Sequence, residues 1–150
     1  MLNDPVFSAY VIAATIMILK IMGQGWITVV QMMKNEAGFL NPEDAAKGLA
    51  NPNPRDGQLA PHKAVERSRR MHRNDLENIP PFLFAGFLFT LTNPSLWIAQ
   101  ALFYGFVGAR TLHFWAYFTA KSHETRATFF TIGSLIIMGM AGYTLYFTIA

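Results

Sequence analysis

The stretch Glu66-Arg67-Ser68-Arg69-Arg70-Met71-His72-Arg73-Asn74-Asp75-Leu76-Glu77, which continues through Asn78 into the apolar run Ile79 to Thr92, decides the fold. The apolar part alone is too short to cross a bilayer, because a helix needs about 20 residues to span a hydrocarbon core of about 30 Å. Joined to its charged neighbour, it predicts one long helix whose first turns are charged and whose second half lies in lipid. Pro80 and Pro81 fall inside that helix. Proline removes a helical hydrogen bond and usually kinks the chain, which membrane bundles tolerate when neighbours or water satisfy the freed carbonyl. A kink here predicts a cavity beside the charged turns.

Three further segments have membrane length. Val6 to Val30 is apolar apart from small or mildly polar residues and Lys20, Leu96 to Thr119 carries only Arg110 and His113 as basic groups, and Ala127 to Ala150 has no charge. The first run lacks a basic start and exceeds a signal core in length, which argues for a span over a cleaved signal. The expected organisation is one domain over 1–150, all-α, an integral membrane four-helix bundle. Its spans are 6–33, 64–92, 95–119 and 124–149, and its one long loop is 34–63.

Composition agrees. The chain has 150 residues, 52% hydrophobic and 14% charged, where a soluble domain carries about a quarter charged. Without cysteine there is no disulfide framework, thiolate metal site or protein-borne cysteine nucleophile, although a thiol brought by a substrate remains open. The net charge of +3 comes from basic residues interleaved with acids, so no nucleic-acid partner is expected. His62, His72, His113 and His123 lack metal-ligand spacing, and there is neither a glycine-rich phosphate loop nor a zinc-binding helix motif. No metal is expected.

Within the loop, Asn41-Pro42-Glu43-Asp44 reads as the start of a short interfacial helix, with Asn as cap, Pro in the first turn and acids facing the dipole. Thr92-Asn93-Pro94-Ser95 reads as a tight turn. Lys34, Lys47, Arg55, Lys63 and the Arg67 to Arg73 cluster share one side of the membrane with Lys121 and Arg126. By the positive-inside rule that side is cytoplasmic, with both termini opposite.

Two polar faces carry candidate chemistry. Arg70, Arg73, Asn74 and Glu77 repeat as i, i+3, i+4 and i+7, with Glu66 on the same arc. Intrahelical pairing of Glu66 with Arg70 and of Arg73 with Glu77 would account for this stripe on an exposed helix. At membrane depth, ionisable groups instead face the bundle interior or a wet cavity. In the third span Arg110, His113 and Tyr117 also share a face, and Arg110 has two readings, a buried salt bridge to an acid such as Glu77 or contact with a ligand. Lys20 either snorkels or pairs with an acid. Several Arg with Glu, Asn, His and Tyr suit an anionic, zwitterionic ligand, since Arg forks onto carboxylates and Glu accepts from an ammonium.

These residues carry a resemblance. Asn41-Pro42-Glu43-Asp44, Val65-Glu66-Arg67, Arg70-Met71-His72-Arg73-Asn74-Asp75-Leu76-Glu77-Asn78, Val107-Gly108-Ala109-Arg110, His113 with Ala116-Tyr117, and Arg126 together resemble the membrane-associated proteins of eicosanoid and glutathione metabolism, the MAPEG family, over nearly the whole chain. The nearest branches are its microsomal glutathione transferases and prostaglandin E synthases. The resemblance implies a homotrimer in the membrane, that of the endoplasmic reticulum in a eukaryote or the inner membrane in a bacterium. It also implies glutathione held between subunits by Arg70, Arg73, Asn74, Glu77, His113 and Tyr117, with Arg110 supporting Glu77. Arg126 matches the arginine beside the glutathione sulfur, and Asp44 matches an Asp proposed to handle protons. The implied activity is addition of glutathione thiolate to a lipophilic electrophile, or reduction of a lipid hydroperoxide. Prostaglandin E synthesis and a non-catalytic lipid-binding scaffold are the alternatives.

The chain departs from the synthase pattern in three places. A serine proposed there to assist the thiol corresponds to Ala127, a nearby tyrosine corresponds to Phe130, and an arginine near the end of the first helix has no basic match around Met32 and Met33, with only Lys34 close by.

Overall fold

The computed structural model describes residues 2–150. These residues form four helices and no strand: α1 (Pro5–Asn35), α2 (Lys63–Thr90), α3 (Leu96–Phe118) and α4 (His123–Ile149). Helix starts follow the local chemistry. Asp4 accepts the Phe7 amide at 2.9 Å with Pro5 opening α1, and Ser122 accepts the Thr125 amide at 3.3 Å at the start of α4, each satisfying an amide that has no partner within its helix. α2 runs unbroken through Pro80 and Pro81, so the carbonyls of Leu76 and Glu77 lose their helical donors.

α1 and α4 stand at opposite corners of the bundle, each packed against both α2 and α3, which also meet across the diagonal. The core between them is aromatic and small by turns. Phe82 stacks on Phe106 with ring centres 4.0 Å apart, Phe103 meets both Phe82 and Phe89 edge-on, and Ala9, Ala13 and Met17 of α1 close over them. α1 approaches α2 closely at Gly86, where a Cβ would come within 3.0 Å of the Tyr10 ring. The Tyr10 hydroxyl there donates to the Leu83 carbonyl at 2.8 Å.

The outside is as apolar as the core. Leu19, Phe84, Trp97, Leu145 and Ile149 are all mostly exposed, an apolar surface that water does not tolerate at this extent and that lipid does. Only α1 and α4, with mean hydropathy 2.0 and 1.6, are apolar enough to qualify as spans by composition. α2 and α3 carry charge that the bundle must hold.

The loop between α1 and α2 is ordered. Gly38 and Phe39 donate to the carbonyls of Ala60 and Gln58 at 3.0 Å each, and the buried side chains of Asn51 and Gln58 bond each other in both directions. Gly38 has φ +77° and lies so near Val65 that a Cβ would approach it to 3.0 Å, which makes this position demand glycine. The expected interfacial helix at Asn41 is a single 3-10 turn, Pro42–Ala45. The chain becomes extended at Ala46, and the Asn41 amide donates to the Asp44 carboxylate at 3.0 Å instead of capping.

Candidate active site

Asn74 and Asp75 are adjacent on α2 and so point about 100° apart. Asp75 is turned into the bundle and is 1% exposed, whereas Asn74 is half-buried on the neighbouring face. Between α1, α2 and α3, Asp75 takes Lys20 on one oxygen and Arg110 on the other, both at 2.5 Å. The same Nη2 of Arg110 donates to Oδ1 of Asn74 at 2.7 Å. Charges at membrane depth persist only when paired and hydrogen-bonded, and a carboxylate shared by two cations meets that condition.

This corrects one expectation. The acid that holds Arg110 is Asp75, not Glu77. Glu77 shares the arc of Arg73 and Asn74 and is exposed, while Asp75 faces the core, where Arg110 is fully buried. Arg110 thus reaches the polar face through Asn74. Lys20 resolves as an ion-pair partner. Two further nitrogens of Arg110, Nε and Nη1, are buried and make no hydrogen bond.

On the outer side of this cluster lies an open groove of about 250 Å³ between α2, α3 and α4. Asn74 and Glu77 come from α2, His113 and Tyr117 from α3, and Arg126, Ala127 and Phe130 from α4. The i, i+4 pair His113 and Tyr117 sets its rings 5.0 Å apart. The Arg126 guanidinium lies 4.6 Å from the Tyr117 ring centre, a cation–π contact, and its Nε donates to the Ser122 carbonyl at 3.3 Å. A fixed cation therefore hangs over the groove beside an imidazole, a phenol and a carboxylate.

The intrahelical pairs expected of an ordinary charged helix do not form. Among the described residues, Glu66 pairs with Arg69 rather than Arg70, and Arg70, Arg73 and Glu77 have no ion-pair partner. Arg69 also donates to the Gly38 carbonyl, tying α2 to the loop. The structure thus brings together Asn74, Glu77, His113, Tyr117 and Arg126. Arg70 and Arg73 lie exposed on the same helix outside the groove lining, Arg110 lies beneath it, and Asp44 is an exposed loop residue away from that lining. Sequence reasoning missed His123, which also lines the groove and stands one helical turn before Arg126, a spacing that could have revealed it. It also missed Asp75, whose position 100° off the polar stripe removed it from consideration.

The family model described as the MAPEG family matches residues 10–146. The chain belongs to the MAPEG family. It is 38% identical over 141 residues to microsomal glutathione S-transferase 1 of Rattus norvegicus, covering 94% of this chain and 90% of that protein. It is 38% identical over 140 residues to microsomal glutathione S-transferase 1 of Homo sapiens, covering 93% and 89%. It is 33% identical over 144 residues to prostaglandin E synthase of Equus caballus, covering 94% and 88%. Membership of MAPEG agrees with the helical membrane bundle. In this MAPEG chain the groove wall beside Arg126 has no hydroxyl at Ala127 or Phe130.

Proposed function

We propose that this protein is a membrane glutathione transferase, which adds the thiolate of glutathione to lipophilic electrophiles. The observation that carries the reading is Arg126, a cation fixed against Tyr117 at the rim of a polar groove that sits beside a lipid-facing surface. Asn74, Glu77, His113 and Tyr117 offer the mixed donors and acceptors that a zwitterionic tripeptide needs, and Arg70 and Arg73 supply unpaired cations on the same helix for its carboxylates. Those exposed, unpaired groups also support closure of the site by a neighbouring subunit in a homotrimer, with the loop side facing the cytoplasm.

A cysteine thiol has an ordinary pKa of about 8.5 and is mostly protonated at neutral pH. A guanidinium beside the sulfur selectively stabilises the thiolate, and each unit of lowering requires about 1.4 kcal/mol. The thiol proton leaves to solvent, the sulfur forms a bond to the electrophilic carbon, and the leaving group departs with its bonding pair. With a lipid hydroperoxide the same thiolate attacks the peroxide oxygen, releasing an alcohol after one proton is taken up. A second glutathione then converts the sulfenic acid to the disulfide and water.

Relatives named prostaglandin E synthase raise isomerisation as a second activity, and the absence of hydroxyls at Ala127 and Phe130 favours thiol transfer over it. An ultraviolet difference titration of the lipid-supported protein with glutathione tests the proposal. A saturable thiolate absorbance, followed by conjugation of a lipophilic aryl halide, is the expected result. Folded, assembled protein that yields no thiolate and no conjugate would overturn it.

A further inference from the structure

The seam between α1 and α3 carries a second groove, on a different face from the one described above. On α3, Thr111, Phe114 and Phe118 point about 110° away from His113 and Tyr117 at helical spacing, so the two grooves are separated by the helix itself. At membrane depth the seam is a mostly apolar depression of about 260 Å³ lined by Ile16, Gly23, Ile27 and Phe114, with Lys20 and Gln24 also in its wall but bonded to Asp75 and Ser68 of α2. Ile27 also lines a second chamber of about 350 Å³ at the loop-side end, where the other walls include Gln31, His62, Lys63, Arg67 and Phe118. Phe114 and Phe118, one turn apart, stack with ring centres 5.8 Å apart and make one aromatic wall along both chambers.

The chemistry changes sharply along this seam. No carboxylate lines either chamber, and among the described residues Lys63 and Arg67 have no ion-pair partner. His62 also lines this loop-side chamber. An unpaired lysine and an unpaired arginine beside an imidazole at the head of an apolar trough form a charge pattern complementary to an anion with a hydrocarbon tail. Ile16 to Gln31 spans about 22 Å along α1. That length accommodates a head group at the interface and a chain reaching the bilayer midplane, about 15 Å below it.

We propose that the α1–α3 seam binds an anionic phospholipid of the surrounding leaflet, with its phosphate held by Lys63 and Arg67 and one acyl chain lying along Ile27, Phe114 and Ile16. The bilayer is the source because the trough opens along the helix seam at membrane depth. The site needs neither glutathione nor any residue of the catalytic groove, so its test is independent of the activity.

The whole protein, in its native oligomer, is reconstituted into phosphatidylcholine vesicles doped with phosphatidylglycerol, released into mild detergent and weighed by native mass spectrometry with its retained lipid. The wild type retains phosphatidylglycerol in preference to phosphatidylcholine. Lys63→Gln with Arg67→Gln lowers that preference on the order of tenfold, since each basic group near an anionic lipid contributes to its capture. Gly23→Leu fills the trough, and a Cβ at Gly23 meets nothing within 4 Å, so this variant folds and sheds the lipid with the cationic mouth intact. Equal retention of the two lipids by the wild type, or unchanged retention in either variant, overturns the proposal. So does a change of subunit number in Gly23→Leu, which would assign the seam to a contact between copies.

Discussion

The inner and outer faces of α2 are built from the same charged stretch and end in opposite states. On the inner face Asp75 is 1% exposed and holds both Lys20 and Arg110 at 2.5 Å. On the outer face Arg70, Arg73 and Glu77 are exposed and unpaired among the described residues. A helix that only needed solubility would pair these outer charges at i, i+4. The inner face spends its charge on joining three helices, and the outer face keeps its charge available. Asn74 connects them, since its side-chain oxygen accepts from the Arg110 nitrogen that also bonds Asp75.

The largest effect is expected from removing the inner acid. Asp75→Leu leaves the fully buried Arg110 and the partly buried Lys20 without a counter-charge, and breaking a buried pair from one side costs about 3–5 kcal/mol. Thermal unfolding in detergent should show this as a large fall in the midpoint. Replacing all three, as Lys20→Met, Asp75→Leu and Arg110→Met, should recover most of the stability because no charge remains to be desolvated. Glutathione affinity should stay low in the triple variant, because Asn74 has lost its anchor. Recovery of both properties would show that the cluster is structural alone.

Next in size is Arg126→Ala. In the proposed reaction this removes a charged hydrogen-bond donor to the sulfur and with it about 1.5–3 kcal/mol of thiolate stabilisation, so turnover at neutral pH should fall by roughly ten- to a hundredfold. If Arg126 lowers the thiol pKa as proposed, conjugation rate rises with pH through that pKa and then levels off. In Arg126→Ala the same rise should move to higher pH. Unfolding should barely change, since Arg126 bonds only the Ser122 carbonyl and packs on Tyr117. A pH–rate profile that keeps its wild-type midpoint would remove Arg126 from thiol activation.

How much of this was legible follows the same division. The outer stripe was readable because helical periodicity gathers Arg70, Arg73, Asn74 and Glu77 on one arc, and the groove includes Asn74 and Glu77 of that set. α1, α3 and α4 were readable from apolar length and α2 only from its apolar run joined to the charged stretch, and the helices end at Asn35, Thr90, Phe118 and Ile149, within about two residues of the expected ends. The inner cluster was hidden because no single-helix pattern says that Lys20 and Asp75, 55 residues apart, meet on the far side of the stripe. For Arg110 a buried salt bridge was one of two readings, with Glu77 as the example acid, and that Asp75 takes this place depends on how α3 is rotated against α2. The loop was also opaque, since the mutual bonding of Asn51 and Gln58 has no periodic signature.

A smaller effect is expected at Glu77→Gln, which keeps the shape and removes the charge. Exchanging a charged acceptor for a neutral one weakens a hydrogen bond by about 1 kcal/mol, so glutathione affinity should fall roughly fivefold. Isothermal titration measures this, and the unfolding midpoint provides the contrast with Asp75. An equal loss of stability at Glu77 and Asp75 would abolish the distinction between the two faces.

The smallest change sharpens the comparison from the other direction. Ala127 lines the groove next to Arg126 and is half-buried, so a hydroxyl introduced there has room to donate toward a bound thiolate. Ala127→Ser should add one neutral donor worth about 0.5–1.5 kcal/mol, against a helix-propensity cost of about 0.5 kcal/mol. The bound thiolate fraction, read by ultraviolet absorbance below saturation, should rise by up to about fivefold while the unfolding midpoint stays within a small margin of the wild type. That asymmetry is what an open face predicts, because its groups answer to the ligand rather than to the core. If the hydroxyl leaves the absorbance unchanged and lowers stability, position 127 belongs to the packing of α4, and the sulfur lies nearer to Tyr117 than to the start of α4.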